Sequence, residues 1–160
     1  MKNNKENIKH AWSVVCQSSI IDQQTNNISI HNVLEQFSSE QSASQIATFR
    51  KDNPSIGRGV PINFTFQIVS LWQSQNPKIQ PSADVLIEFF DSIGDSMQKA
   101  EFKLVFEAGK ARMRTIITNP FLTVSESGLY YFKVKVREEG NNDFIEVTEI
   151  PLEVNVINKE

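Results

Sequence analysis

The chain has 160 residues, 39% of them hydrophobic and 22% charged, which is the length and balance of one soluble globular domain. A net charge of −3 argues against general nucleic-acid affinity, which needs a large basic excess to displace counterions, and the single cysteine, Cys16, excludes an internal disulfide framework. Runs such as Val85-Leu86-Ile87 are too short to span a bilayer, and the polar start Met1–Asn7 leads into no apolar signal segment, so a cytoplasmic protein is the expectation.

Residues 1–10 are expected to form a flexible tail, and residues 11–157 a single domain with a long loop at 38–59. The first strand runs from Ala11 to Ile21, with Trp12, Val14 and Cys16 on one parity and Val15 on the other. Asp22–Asn27 is a polar turn. Ile28-Ser29-Ile30 resumes the alternation and Val33, Leu34 and Phe37 continue it, with a phase slip near His31-Asn32 that suggests a bulge. These two strands make an N-terminal hairpin. Residues 38–59 are the least regular part, and their composition favours a mobile linker over a short helix around 39–48.

Pro61–Trp72 is the clearest strand, with Ile62, Phe64, Phe66, Ile68 and Trp72 on one face. After a two-proline loop, Asp84–Asp91 points Val85, Ile87 and Phe89 inward, and Ser92–Asp95 turns the chain. Phe102, Leu104 and Phe106 alternate next. Glu107–Lys110 reads as a hairpin connection into Ala111–Ile117, which Asn119-Pro120 is expected to end. From Glu126 to Val136 the alternation is clean: Tyr130, Phe132, Val134 and Val136 on one face, Tyr131, Lys133 and Lys135 on the other. The last strand, Phe144–Val156, slips near Thr148-Glu149. This makes about eight short strands punctuated by Gly, Pro and Asn, the pattern of an all-β antiparallel sandwich, with a barrel as the other solution.

Glu126-Ser127-Gly128-Leu129-Tyr130-Tyr131-Phe132 resembles the immunoglobulin-fold pattern acidic-x-Gly-x-Tyr-x-Cys, with Phe132 at the Cys position. The resemblance implies an immunoglobulin-like sandwich. It also implies that Tyr130 closes a tyrosine corner, its ring in the core and its hydroxyl bonded to nearby backbone. With Cys16 alone, no intersheet disulfide accompanies it. More loosely, the chain resembles a bacterial family of uncharacterised small immunoglobulin-like β-sandwich proteins. That resemblance lies in Ile28–Val33, in Gly128–Val134 and in Glu149-Ile150-Pro151-Leu152-Glu153-Val154. The family implies the fold and no activity.

Few residues suggest chemistry. Cys16 with His10 or His31 has the types of a nucleophile and a base, but a lone cysteine on an apolar strand is read as a small core residue. Two histidines are too few for zinc. Asp91 and Asp95, with Asp84 or Glu88, have calcium-type oxygen ligands, but Asp and Gly94 are also ordinary turn residues. Arg112, Arg114, Lys133, Lys135 and Arg137 would form a basic stripe if their strands were neighbours, and otherwise form solvated sheet faces. Arg50, Lys51 and Arg58 are a similar cluster in the 38–59 segment, and Gly57-Arg58-Gly59 lacks the strand–loop–helix setting of a phosphate cradle.

No catalytic, cofactor-binding or metal-ligating residue is therefore assigned, and no enzyme activity or cofactor is expected. The expected function is a non-catalytic protein-interaction or structural module whose partner is another protein, with no nucleic acid and no membrane. The alternative is a carbohydrate- or small-ligand-binding sandwich using Trp72, Tyr131 or loop aromatics as a platform in a concave pocket.

Overall fold

Nine strands lie among residues 6–55 and 57–159, the part of the chain that the computed structural model describes. They are β1 (Ile8–Ile21), β2 (Ile28–Val33), β3 (Gln36–Ser42), β4 (Val60–Ser74), β5 (Ser82–Phe90), β6 (Ser96–Val105), β7 (Arg112–Val124), β8 (Gly128–Glu138) and β9 (Ile145–Lys159). One helix, α1 (Ala43–Asp52), lies between β3 and β4. The strands form two sheets in a sandwich-like arrangement, in the orders β2-β1-β4-β7 and β3-β9-β8-β5-β6. Phe66, Ile68 and Trp72 of β4 face Val85, Ile87 and Phe89 of β5 and Phe132 and Val134 of β8, all buried. The Phe132 ring lies 4.3 Å from Phe89 and 5.7 Å from Phe66, centroid to centroid, so it joins the two layers.

Several expectations need correction. The expected tail at 1–10 is ordered from Ile8, which is buried and starts β1 because Glu138 Oε1 accepts from Asn7 N and Ile8 N, each at 2.8 Å. Residues 1–5 lie outside the described part. The expected loop at 38–59 holds most of β3 and all of α1. Here Phe37, Ser39 and Gln41 face inward while Ser38 and Glu40 face out, so the alternation is present but written in polar residues. α1 starts where Ser42 Oγ accepts from Gln45 N and ends where Asn53 N returns to Phe49 O.

β3 pairs parallel to β9 from Gln36–Glu153 to Ser42–Lys159, in the sheet opposite β2. Phe37 therefore does not continue the second strand. The expected bulge at His31-Asn32 is not there, since Ser18–His31 and Cys16–Val33 keep one register; Asn32 instead takes φ 52°. The slip in β9 is real, with Val147 unpaired between Glu146 and Thr148.

Glu107–Lys110 is not a hairpin turn. It carries the chain from β6, the edge of one sheet, to β7, the edge of the other. Pro120 does not end β7 either. β7 is an edge strand, where a missing N–H is tolerated, and Phe64 and Thr65 of β4 bulge opposite Pro120 while pairing resumes at Asn63–Phe121.

Tyr130 is fully buried, and its hydroxyl donates to Glu126 O at 2.8 Å and accepts from Ser125 N and Glu126 N. Gly128 enters this corner because a Cβ there would lie 2.5 Å from Ser92 Cβ.

Candidate functional site

The N-terminal hairpin does not stay flat in its sheet. β1 pairs with β4 only as far as Cys16–Gln67, and from Cys16 to Ile21 it pairs with β2. The far half then turns over the sheet, and Ser19 Oγ donates to Gln67 Oε1 at 2.7 Å. Its tip is a tight turn in which Asp22 Oδ1 accepts from Gln24 N, Thr25 N and Thr25 Oγ1, and Asn26 takes φ 56°. Arg114 Nη2 donates to the carbonyl oxygen of Asn26 and, at 2.9 Å, to its side-chain Oδ1. Arg114 pairs with Leu71, and Leu71 with Trp12. The tip is thus held over the outer face of the four-stranded sheet at the level of Trp12 and Leu71.

Beneath it is an open groove of about 620 Å³. Trp12 and Leu71 form the floor. Ile21 and Thr25–Ile28 form one wall, and Gly109–Met113 the other. Lys110, Arg112 and Arg114 line the groove, and no Asp or Glu does. Arg114 is half-buried and has no carboxylate partner, unlike the other half-buried cations among the described residues: Lys133 meets Glu149, Lys135 meets Glu88 and Arg137 meets Asp84. Its Nη1 is buried without a hydrogen bond.

The basic stripe, conditional on those strands being neighbours, does not form, because β7 and β8 belong to different sheets. Lys133, Lys135 and Arg137 lie on the outer face of the five-stranded sheet, spent on Glu149 at 3.1 Å, Glu88 at 2.8 Å and Asp84 at 2.9 Å. The hydrogen bond from Lys135 holds the Glu88 carboxyl below the usual carboxylate range. The Phe90 ring lies under Lys133 and Lys135.

The carboxylates weighed for calcium are likewise committed. Asp91 is buried, with Oδ1 accepting from Ile93 N and Asp95 N and Oδ2 from Arg58 and Ser125 Oγ. Arg58 also faces Asp95 at 3.3 Å and Glu126 at 3.9 Å, so Gly57-Arg58-Gly59 is a latch onto carboxylates. Arg50 donates to Arg58 O, and Lys51 is exposed at the end of α1.

Cys16 is fully buried, burial pushes its thiol up, and no hydrogen bond joins it to either histidine. His31 is exposed on β2. His10 Nε2 meets Ser13 Oγ at 2.7 Å, and Ser13 Oγ meets Ser70 Oγ at 2.6 Å. Burial pushes the His10 pKa down, so the neutral ring serves as a structural link edge-on to Trp72.

Trp72 cannot be a binding platform: it is a fully buried core residue whose Nε1 donates to Thr115 Oγ1 at 3.0 Å. Tyr131 sits half-buried on β8, opposite Phe90 and Pro151. The aromatic floor is instead Trp12, which the sequence had placed only by parity with Val14 and Cys16. That parity was the available signal, because it sets Trp12 on the face opposite Val15.

No protein-family model matches the chain, and no curated protein matches it. The groove combines an aromatic floor, one wall bearing the Asn26 and Asn27 amides, and the cations Lys110, Arg112 and Arg114, with no Asp or Glu in its lining.

Proposed function

We propose that this chain is a non-catalytic interaction module, cytoplasmic and of immunoglobulin-like type, that recognises a protein partner through the groove under the N-terminal hairpin. One observation carries the reading. In a sandwich whose other half-buried cations among the described residues are neutralised internally, Lys110, Arg112 and Arg114 line one groove with Trp12, and no Asp or Glu lines it. The two sheets form the scaffold and the recognition surface comes from a hairpin tip and a connection, a division of labour common in binding modules. The immunoglobulin-like assignment is supported by the Tyr130 corner, by β3 running parallel to β9, and by chain crossings between the sheets after β4, β6 and β7. Kinship with the bacterial family of small sandwich proteins rests on the same hairpin, corner and terminal strand.

The test is a photo-crosslinking amino acid placed at Asn27 or Lys110 on the groove rim, and at Lys103 on β6 as a control, in the native cell. A discrete protein adduct from the rim positions and none from Lys103 is expected. Adducts that form equally from Lys103, or from none of the three, would sink the reading.

A further inference from the structure

Arg114 is half-buried and carries a planar, forked guanidinium. Its present partners are both neutral acceptors on one residue, the carbonyl and the side-chain amide oxygen of Asn26. Both are bound through Nη2, which leaves Nη1 buried and unpaired. An orphaned donor on a charged group is costly, and a carboxylate or phosphate is the acceptor that would take both nitrogens as a fork. Lys110 and Arg112 add a positive field in the same groove, in a chain whose net charge is −3. Beside the charge lie Trp12 and Leu71, an apolar floor for whatever carries the anion.

We propose that Arg114 is the anion-recognising residue of this groove, and that an oxyanion carried on a flat or apolar body displaces Asn26 from the guanidinium while the body rests on Trp12 and Leu71. The hairpin tip is then a latch, released when a charged acceptor replaces a neutral one. The proposal rests on the groove being the recognition surface and names the chemistry it selects. The oxyanion can be that of a free small molecule or of an acidic side chain in an extended segment of the partner.

The full chain, labelled with nitrogen-15, is titrated with benzoate and with its neutral counterpart benzamide, following the Arg114 Nε–H and Asn26 side-chain amide resonances. Benzoate is expected to bind at least ~10-fold more tightly than benzamide, the discrimination expected of a bidentate charge-assisted pair. Arg114→Gln removes that preference, and Arg114→Lys, which keeps the charge but loses the fork, retains only part of it. Asn26→Gly accommodates the positive φ and removes one competing acceptor, so it strengthens benzoate binding by ~2–5-fold, a gain that a merely structural Asn26 would not give. Capped Glu-Phe and Gln-Phe dipeptides form the second arm. A Glu preference that depends on Arg114 assigns the anion to a partner side chain, and benzoate binding without it assigns a free small molecule.

Equal binding of benzoate and benzamide, no binding of any anion, or a preference that survives Arg114→Gln overturns the proposal. If both probes bind in the groove regardless of charge, the groove stands as recognition surface and only the anion chemistry falls. If their shifts map away from Trp12 and Asn26, both fall.

Discussion

The Tyr130 hydroxyl donates to the carbonyl oxygen of Glu126 at 2.8 Å, and the backbone N–H of the same Glu126 donates back to it at 3.1 Å. This reciprocal pair, with the Ser125 N–H at 3.0 Å, closes the corner through which the chain enters β8. Tyr130→Phe keeps the ring in the core and strands these backbone groups. A loss of about 2 kcal/mol is expected, since buried groups lose more when left unpaired than a bond gains when formed. Urea denaturation measures it; a loss under ~0.5 kcal/mol would show that the hydroxyl only fills space.

The same corner depends on a close approach. Gly128→Ala would place a methyl carbon 2.5 Å from Ser92 Cβ, so the β5–β6 turn or the start of β8 must move. The expected cost is ~2–3 kcal/mol, in the range of overpacking. Ser92→Gly in the same chain should return at least half of it, and a double-mutant cycle with no coupling would rule out the Ser92 contact as the cause.

Asp91 is the anchor of the Arg58 latch, and its burial sets an order of effects. Asp91→Ala strips acceptors from Ile93 N, Asp95 N, Ser125 Oγ and Arg58 at once and should cost ~3 kcal/mol or more. Arg58→Ala should cost less, because the Arg58 side chain is 42% exposed and Asp91 keeps two backbone N–H donors. Thermal unfolding of the two variants side by side decides the ranking, and a larger loss for Arg58→Ala would contradict it.

His10 gives a pH dependence of definite sign. Burial lowers its pKa in the folded chain below the ordinary value near 6.5, so the unfolded chain takes up a proton first as pH falls. Its contribution is therefore fully present above about pH 6.5 and is lost as pH falls from there through the lowered folded value. His10→Gln should flatten the fall in Tm between pH 7.5 and 5.5 relative to the parent chain. An unchanged slope would mean that other groups carry it.

Much of the strand pattern was legible because it is local. In β4, Phe66, Ile68 and Trp72 alternate with Gln67, and the structure buries that face. In β8, Tyr130, Phe132 and Val134 are inside while Lys133 and Lys135 are outside on their carboxylates. β3 was not legible because Ser39 and Gln41 occupy buried positions where an apolar residue would have shown the period. Of the candidate site, the parity of Trp12 and the basic pair Arg112 and Arg114 could be read, but not that they share a groove. Whether the basic residues of β7 and β8 form one stripe hung on whether their strands are neighbours, and nothing local says that those strands lie in different sheets.

The residues by themselves determined most of the strands and which face of each is apolar, because side-chain alternation and turn chemistry act over a few residues, while the Gly128–Tyr130 corner was implied by resemblance to the immunoglobulin pattern. Only the tertiary structure decided which strands are neighbours, since pairing joins positions far apart in the chain and the same alternation satisfies many orders. It sent Glu107–Lys110 across the sandwich, accommodated Pro120 at a sheet edge, and set β3 against β9. It also bent the N-terminal hairpin back until Asn26 met Arg114. That contact turns Trp12 from one more residue on a strand into the floor of a groove.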